Sequence, residues 1–317
     1  MLSFFSGYLW KGNETNMKNF KKILGAILAM CFLMAFATGC SKTEEGGSEP
    51  VDTGVQKDAS TAILVVSFGT SYNDSRDKTI GAVENAIAKA YPQYEVRRAF
   101  TSQIIIDKLK ERDNLSIDNV QQALDRAVAD GIKTLIVQPT HLMDGYEYND
   151  LKDELDNYQD RFDAIKLGAP LLTSDEDFDK VIEAITTSTE SFNDGKTLVA
   201  FMGHGTEADS NEVYEKLNTK LHEKNFKNYY IGTVEAQPDV WDVMNYAEDN
   251  SFSTIVLQPL MVVAGDHANN DMAGDEEDSW KSMMTEEGFQ VTPVLKGLGE
   301  IEAIQQIYVQ HVADAMK

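Results

Sequence analysis

Two histidines and one glutamate, His204, Glu235 and His267, each follow a run of apolar and β-branched residues: "TLVAFMG" before His204, "YYIGTV" before Glu235 and "STIVLQPLMVVAGD" before His267. Two neutral imidazoles and one carboxylate, with coordination positions left over, suit a borderline divalent ion such as Co²⁺, Fe²⁺, Ni²⁺ or Zn²⁺. Thiolate ligands and disulfides are not available to a folded domain here, because the two cysteines, Cys31 and Cys40, both lie in the N-terminal segment. The three residues are far apart along the chain. Their pattern alone also fits three unrelated polar loop residues, and only a fold that brings matching strand ends together makes them a site.

The elements that would position them are legible as short β-branched runs alternating with amphipathic stretches: "AILVVSFG", a helical pattern over 76–90, "YEVRRAF", a helical pattern over 117–130, and "KTLIVQPTH". This order predicts an α/β fold with a parallel sheet covered by helices. The second half repeats it, with "TLVAFMGHG", "YYIGTVEAQ" and "STIVLQPLMVVAGDHANND" echoing "AILVVSFGT", "YEVRRAFTSQ" and "KTLIVQPTHLMDGYEYND". Read letter against letter, Gly69-Thr70 falls on Gly203-His204, Thr101-Ser102-Gln103 on Glu235-Ala236-Gln237, and Gly145-x-Glu147 on Gly265-x-His267. The chain therefore reads as two similar lobes, the second shorter between its second and third strands. Ligands of open α/β sheets gather beyond the carboxyl ends of the strands. That places the three candidate ligands at one such edge, with Thr70, Ser71, Thr101, Ser102 and His141 as expected substrate contacts in the same cleft.

Other candidates carry less chemistry. His141 fits a satisfied core histidine as well as a cleft residue, and His222 and His311 have helical surroundings that suit packing. Asp275, Glu276, Glu277 and Asp278 read as a solvated turn, with attraction of cations as the alternative. Gly69 and Gly203 fit tight strand-to-helix turns, but no Walker-type lysine follows, so phosphate binding is poorly supported.

From Met17 the chain reads "MKNFKKILGAILAMCFLMAFATGCSK", a basic start, an apolar segment and small residues ending at Cys40. This is a secretory signal in form. Its end resembles a bacterial lipobox, with Ala37 where leucine is usual, which predicts lipidation of Cys40 and an exported, membrane-anchored protein. Residues 1–16 precede a methionine that would itself open a well-formed signal, so they read as a mis-called start. Residues 41–59 are polar and form a flexible tether, and the expected lobes span 60–190 and 191–317, the second carrying the metal site. A formal net charge of -24 repels nucleic acid and anionic membrane surfaces and favours cationic partners. Whether copies associate into a homo-oligomer is left open.

Several longer stretches then match a known family. "LVVSFGTSYNDSRDKTI", "RAFTSQIIIDKL", "GYEY", "LGAPLLTS", "VAFMGHGT", "GTVEAQPDV", "LQPLMVVAGDHANNDMAGDEEDSWK" and "GLGE" together resemble the anaerobic sirohydrochlorin cobaltochelatases of the CbiK type, which are class II tetrapyrrole chelatases. The likeness runs from about residue 61 to the C-terminus. It implies two α/β lobes with a tetrapyrrole bound between them, and a lyase that inserts Co²⁺ into sirohydrochlorin on the way to cobalamin, with Fe²⁺ or Ni²⁺ suited to the same ligands. The divalent ion is a substrate, and no organic cofactor is required. The family's metal ligands map onto His204, Glu235 and His267, and its "G-x-E-Y" glutamate maps onto Glu147. In this reading His204 also serves as a base, and Glu147 orients the macrocycle or takes a second proton. The export signal and acidic charge sit awkwardly with an acidic cytoplasmic substrate. They keep a second reading in play, in which an exported lipoprotein binds a metal ion, haem or a corrinoid without catalysis.

Overall fold

The computed structural model describes residues 57–317. The signal-like segment, Cys40 and most of the tether lie outside these residues. The first lobe runs β1 (Thr61–Ser67), α1 (Asn73–Lys78), α2 (Ile80–Ala90), β2 (Glu95–Phe100), α3 (Gln103–Asp113), α4 (Val120–Ala129), β3 (Thr134–Pro139), α5 (Tyr146–Asp156), β4 (Ala164–Leu167) and α6 (Asp175–Ser188). The second continues with β5 (Thr197–Gly203), α7 (Glu212–Glu223), β6 (Tyr229–Thr233), α8 (Val240–Asp249), β7 (Thr254–Pro259), a π-helical turn (Ala268–Met272), α9 (Trp280–Glu286), β8 (Gln290–Pro293) and α10 (Glu302–Met316).

Each lobe holds a four-stranded, all-parallel sheet, ordered β2-β1-β3-β4 in the first and β6-β5-β7-β8 in the second. The central strands β1 and β5 are buried from their second residue onward. That burial explains why they read as unbroken apolar runs and not as alternating ones. The edge strands β4 and β8 are only partly covered and contain Lys166 and the polar pair Gln290 and Thr292.

Sheet register makes the duplication exact in a way that letters do not. Val66 of β1 and Met202 of β5 each pair with the proline that ends the next strand, Pro139 and Pro259. This aligns Phe68 with His204 and Gly69 with Gly205, two residues later than the letter-by-letter alignment. The backbone agrees, since Gly69 and Gly205 both take positive φ, 102° and 86°. Matching hydrogen bonds run from the Ser102 amide to the Phe68 carbonyl and from the Glu235 amide to the His204 carbonyl. Thus His204 answers to Phe68, not Thr70, and Glu235 to Ser102, not Thr101, whereas the pairing of Glu147 with His267 stands. The reason is the turn after the central strand, which selects the glycine that can adopt positive φ; Gly203 is still in the strand.

The extra length of the first lobe is α3, over which the sequence pattern predicts no helix. Its helix N-terminus follows Ser102 directly, while α4 and α8 are true counterparts. Both begin with a capping box, formed by Asn119 with Gln122 and by Asp239 with Asp242.

The expected boundary at 190/191 separates the two sheets, but the packing does not respect it. Helix α10, at the end of the chain, lies against α2, α6 and β3 of the first lobe. Tyr308 donates its hydroxyl to the Thr140 carbonyl at 2.9 Å, and His311 sits between the Ala169 carbonyl and Asp177, each at 3.1 Å. One apolar core accordingly joins Ile63, Val65 and Ile136 of the first sheet to Val199, Phe201 and Ile231 of the second through α2, α6, α7 and α10.

Candidate metal centre

His204 follows the last residue of β5, Glu235 lies in the turn after β6, and His267 closes the loop after β7. Because these three strands are neighbours, their carboxyl ends bring the side chains to one point. One ligand atom from each lies within 4.8 Å of the others, close enough to be drawn onto one ion with bonds of about 2.1 Å. Among the described residues no other group of His, Cys, Asp or Glu makes such a cluster. The two imidazoles meet edge to face with centroids 4.6 Å apart, and His204 Nδ1 is 3.6 Å from Glu235 Oε2. His204 and Glu235 are open to solvent, and His267 is half-buried.

Both rings are oriented by neighbours. His204 Nδ1 is 2.9 Å from the Gly205 carbonyl, and His267 Nδ1 is 2.7 Å from Asp271 Oδ2. Carbonyl and carboxylate oxygens only accept, so each Nδ1 carries a hydrogen and each Nε2 keeps its lone pair for an ion. Asp271 is absent from the sequence-based set of site residues. It stands four residues after His267, the ordinary spacing of helical side-chain pairs, in the π-helical turn that follows the histidine, so the spacing H-x-x-x-D was a signal the sequence offered.

Glu147 lies in the first turn of α5 in the first lobe, within electrostatic range of His204. Partial desolvation raises its carboxyl above the ordinary range, with His204 opposing, although half of the side chain stays exposed. His141 is 3.7 Å from Glu147 Oε2, is buried, and finds no hydrogen-bond partner for either ring nitrogen. Burial pushes its imidazole down to about 4, so it is neutral at physiological pH.

The other expected substrate contacts divide. Thr70 and Ser71 are buried, the Thr70 hydroxyl accepting from the Tyr72 amide and the Ser71 carbonyl accepting from Arg112. They shape the turn, and Ser71 also lines an interlobe pocket. Thr101 and Ser102 are half-buried at the sheet edge. The lobes touch around the site: the Tyr72 hydroxyl reaches Asp266 at 3.4 Å, and the Ala264 amide donates to Ser75 Oγ at 3.0 Å. Of the basic residues, Arg97 pairs with Glu95 and Asp130, Arg98 with Glu84, and Arg76 with Asn73 and Asp77. Lys108, Lys78, which is 4.0 Å from Asp74, and Arg112, which pairs with Asp113, line an interlobe pocket of about 690 Å³ beside Ser71 and Ala264. Asp275 to Asp278 form an exposed turn ahead of the Ser279-capped α9.

Two duplicated parallel-sheet lobes, with two imidazoles and a carboxylate converging where their strand ends meet, define a metal-handling α/β protein with the chelatase fold. The fold is shared with a Bacillus subtilis sirohydrochlorin chelatase, SirB, solved in complex with cobalt, at a TM-score of 0.55 and 14% identity over 80% of this chain and 94% of that one. The family model for cobalt chelatase (CbiK) matches residues 61–317, and the chain belongs to that family. It is 38% identical over 255 residues to the sirohydrochlorin cobaltochelatase of Salmonella typhimurium, covering 80% of this chain and 96% of that protein. A second relative, the sirohydrochlorin cobaltochelatase CbiKC of Nitratidesulfovibrio vulgaris, is 29% identical over 256 residues, covering 80% of this chain and 90% of that one.

Proposed function

We propose that this protein inserts a divalent metal ion into sirohydrochlorin, with Co²⁺ as the physiological ion. The observation that carries the reading is the convergence of His204, Glu235 and His267 in a chain that matches the cobalt chelatase family along both lobes. Insertion removes two pyrrole N–H protons and exchanges the ion's protein and water ligands for four ring nitrogens, so bases must stand beside the ion, and no covalent nucleophile is needed. His204 and His267 hold the ion through Nε2, and Glu235 supplies the third ligand. As the ion passes to the macrocycle, the freed Nε2 of His204 takes one pyrrole proton. Glu147, from the opposite lobe, takes the other; the raised affinity of its carboxyl for protons suits that task. Lys78, Lys108 and Arg112 receive the substrate's peripheral carboxylates.

The test is anaerobic mixing of the purified protein with sirohydrochlorin and Co²⁺, followed by absorbance, against a His204→Ala/His267→Ala control. Turnover that disappears in the control is the expected result. A stoichiometric spectral shift without turnover would support the capture reading instead. We further propose that Cys40 carries a lipid anchor; labelled fatty acid should be incorporated by the native chain and not by Cys40→Ser.

A further inference from the structure

Among the described residues, His141 alone buries two side-chain polar atoms without a hydrogen-bond partner. Buried polar groups are almost always paired, so one kept unpaired at such a place needs an explanation. The backbone gives the ring no freedom to leave, since the Leu171 amide donates to the His141 carbonyl at 3.0 Å and the Leu172 amide to the Leu142 carbonyl at 2.8 Å. The second lobe repeats these two bonds, from Leu298 to Met261 at 2.8 Å and from Gly299 to Val262 at 3.0 Å, which puts Met261 at the equivalent position. Met261 packs against the core of its own sheet. An apolar side chain thus meets the structural demands of the position, and the fold requires no histidine there.

The polar group that the ring does face is Glu147, six residues on, with His141 Nε2 3.7 Å from Glu147 Oε2. The same six-residue step in the second lobe leads from Met261 to His267, whose ring is held by Asp271 four residues further along. Four residues beyond Glu147 stands the buried Leu151, so α5 supplies no such support. The start of α5 also abuts the second lobe, where a Cβ on Gly145 would lie 3.2 Å from Ser210 Oγ, in the segment after His204. Glu147 is half exposed and able to swing, whereas His141 is fixed. We propose that His141 is the positioning residue for Glu147, its Nε2–H closing onto Oε2 once the macrocycle is bound and leaving Oε1 to take the pyrrole proton. Hydrogen bonds of this kind are often long in the free enzyme and tighten in the complex. One neutral tautomer serves throughout, with Nε2 donating. The pyrrole N–H bond breaks with its electron pair left on nitrogen, the O–H bond forms at Oε1, and Glu147 then releases the proton to water on its exposed side. This inference rests on the proposed chelatase reading and deepens it, assigning to His141 a role on the base and not on the substrate.

A double-mutant cycle tests it. Steady-state insertion of Co²⁺ into sirohydrochlorin is followed without oxygen for the native protein, His141→Leu, His141→Gln, Glu147→Gln and His141→Leu/Glu147→Gln, with thermal unfolding of each at neutral pH. His141→Leu should lower kcat about 10- to 100-fold, the effect of a misplaced catalytic group, and leave KM for the macrocycle within about twofold. Its unfolding temperature should be native or higher, because the substitution removes unpaired polar atoms. His141→Gln places an amide nitrogen near the position of Nε2 and should restore most of kcat. The double variant should be no slower than Glu147→Gln alone, because the two side chains act as a unit. A His141→Leu protein with kcat within twofold of native, or losses that multiply in the double variant, would overturn the positioning role and leave the chelatase reading intact. Both His141 variants unfolding well below the native protein would make the histidine a packing residue and overturn it as well. A native protein without turnover overturns the chelatase reading and this inference with it.

Discussion

Asp271 acts on the candidate metal centre through a single hydrogen bond, 2.7 Å to His267 Nδ1, which holds the ring with its other nitrogen free. Losing such an outer partner typically costs 10- to 100-fold in metal affinity. Asp271→Asn should therefore weaken Co²⁺ binding by about that factor in a calorimetric titration while leaving the unfolding temperature close to native; unchanged affinity would mean that His267 needs no such support. His141 tests a different property of the same edge. Its folded-state value of about 4 lies below the unfolded value of 6.5, so between those pH values the unfolded chain binds the proton and the native chain does not. The stability that a neutral His141 allows is complete above about pH 6.5 and is lost as pH falls toward 4, by about 3 kcal/mol. In denaturant titrations without metal, His141→Leu should remove that share of the acid sensitivity, and parallel pH profiles would contradict the assignment.

At the scale of elements, the turn after β5 is the critical joint. Gly205 takes φ of 86°, and a Cβ there would lie 2.8 Å from the Ala236 amide nitrogen. The same turn carries His204, and its carbonyl holds the amide of Glu235. Gly205→Ala should cost more than the roughly 1 kcal/mol of a simple positive-φ substitution, and it should reduce Co²⁺ affinity as the two ligands move apart. Gly131 is the control, with φ of 79° and open space around its Cβ position. Gly131→Ala should lose stability alone. Equal loss of metal affinity in both would show that the turn does not set ligand spacing.

For the whole molecule, α10 ties the lobes together. Ile304, Ile307, Tyr308 and Val312 are buried in the core shared by both sheets. At about 1.5–3 kcal/mol for each buried side chain, their contribution is comparable to the entire stability of an ordinary domain. Unfolding should therefore be a single cooperative transition by circular dichroism and tryptophan fluorescence, and a chain ending before Glu302 should fail to form either lobe stably. Two resolved transitions would mean that each lobe folds on its own core.

The strands and the three candidate ligands were readable because both depend on local patterns. Buried parallel strands demand continuous apolar runs, and a residue that ends such a run lies at the sheet's carboxyl edge whatever surrounds it. His204, Glu235, His267 and the pairing of Glu147 with His267 follow from that. Matching letters misplaced the other two pairs, because Gly203 and Gly205 are the same letter and only the hydrogen-bonded register and the sign of φ tell them apart. Tertiary structure alone decided that Phe68 stands where the second lobe has His204 and that α10 returns to the first lobe, whereas the His267–Asp271 pair follows ordinary i,i+4 spacing and was legible once a helical turn was expected there. The first two depend on contacts between residues remote in sequence.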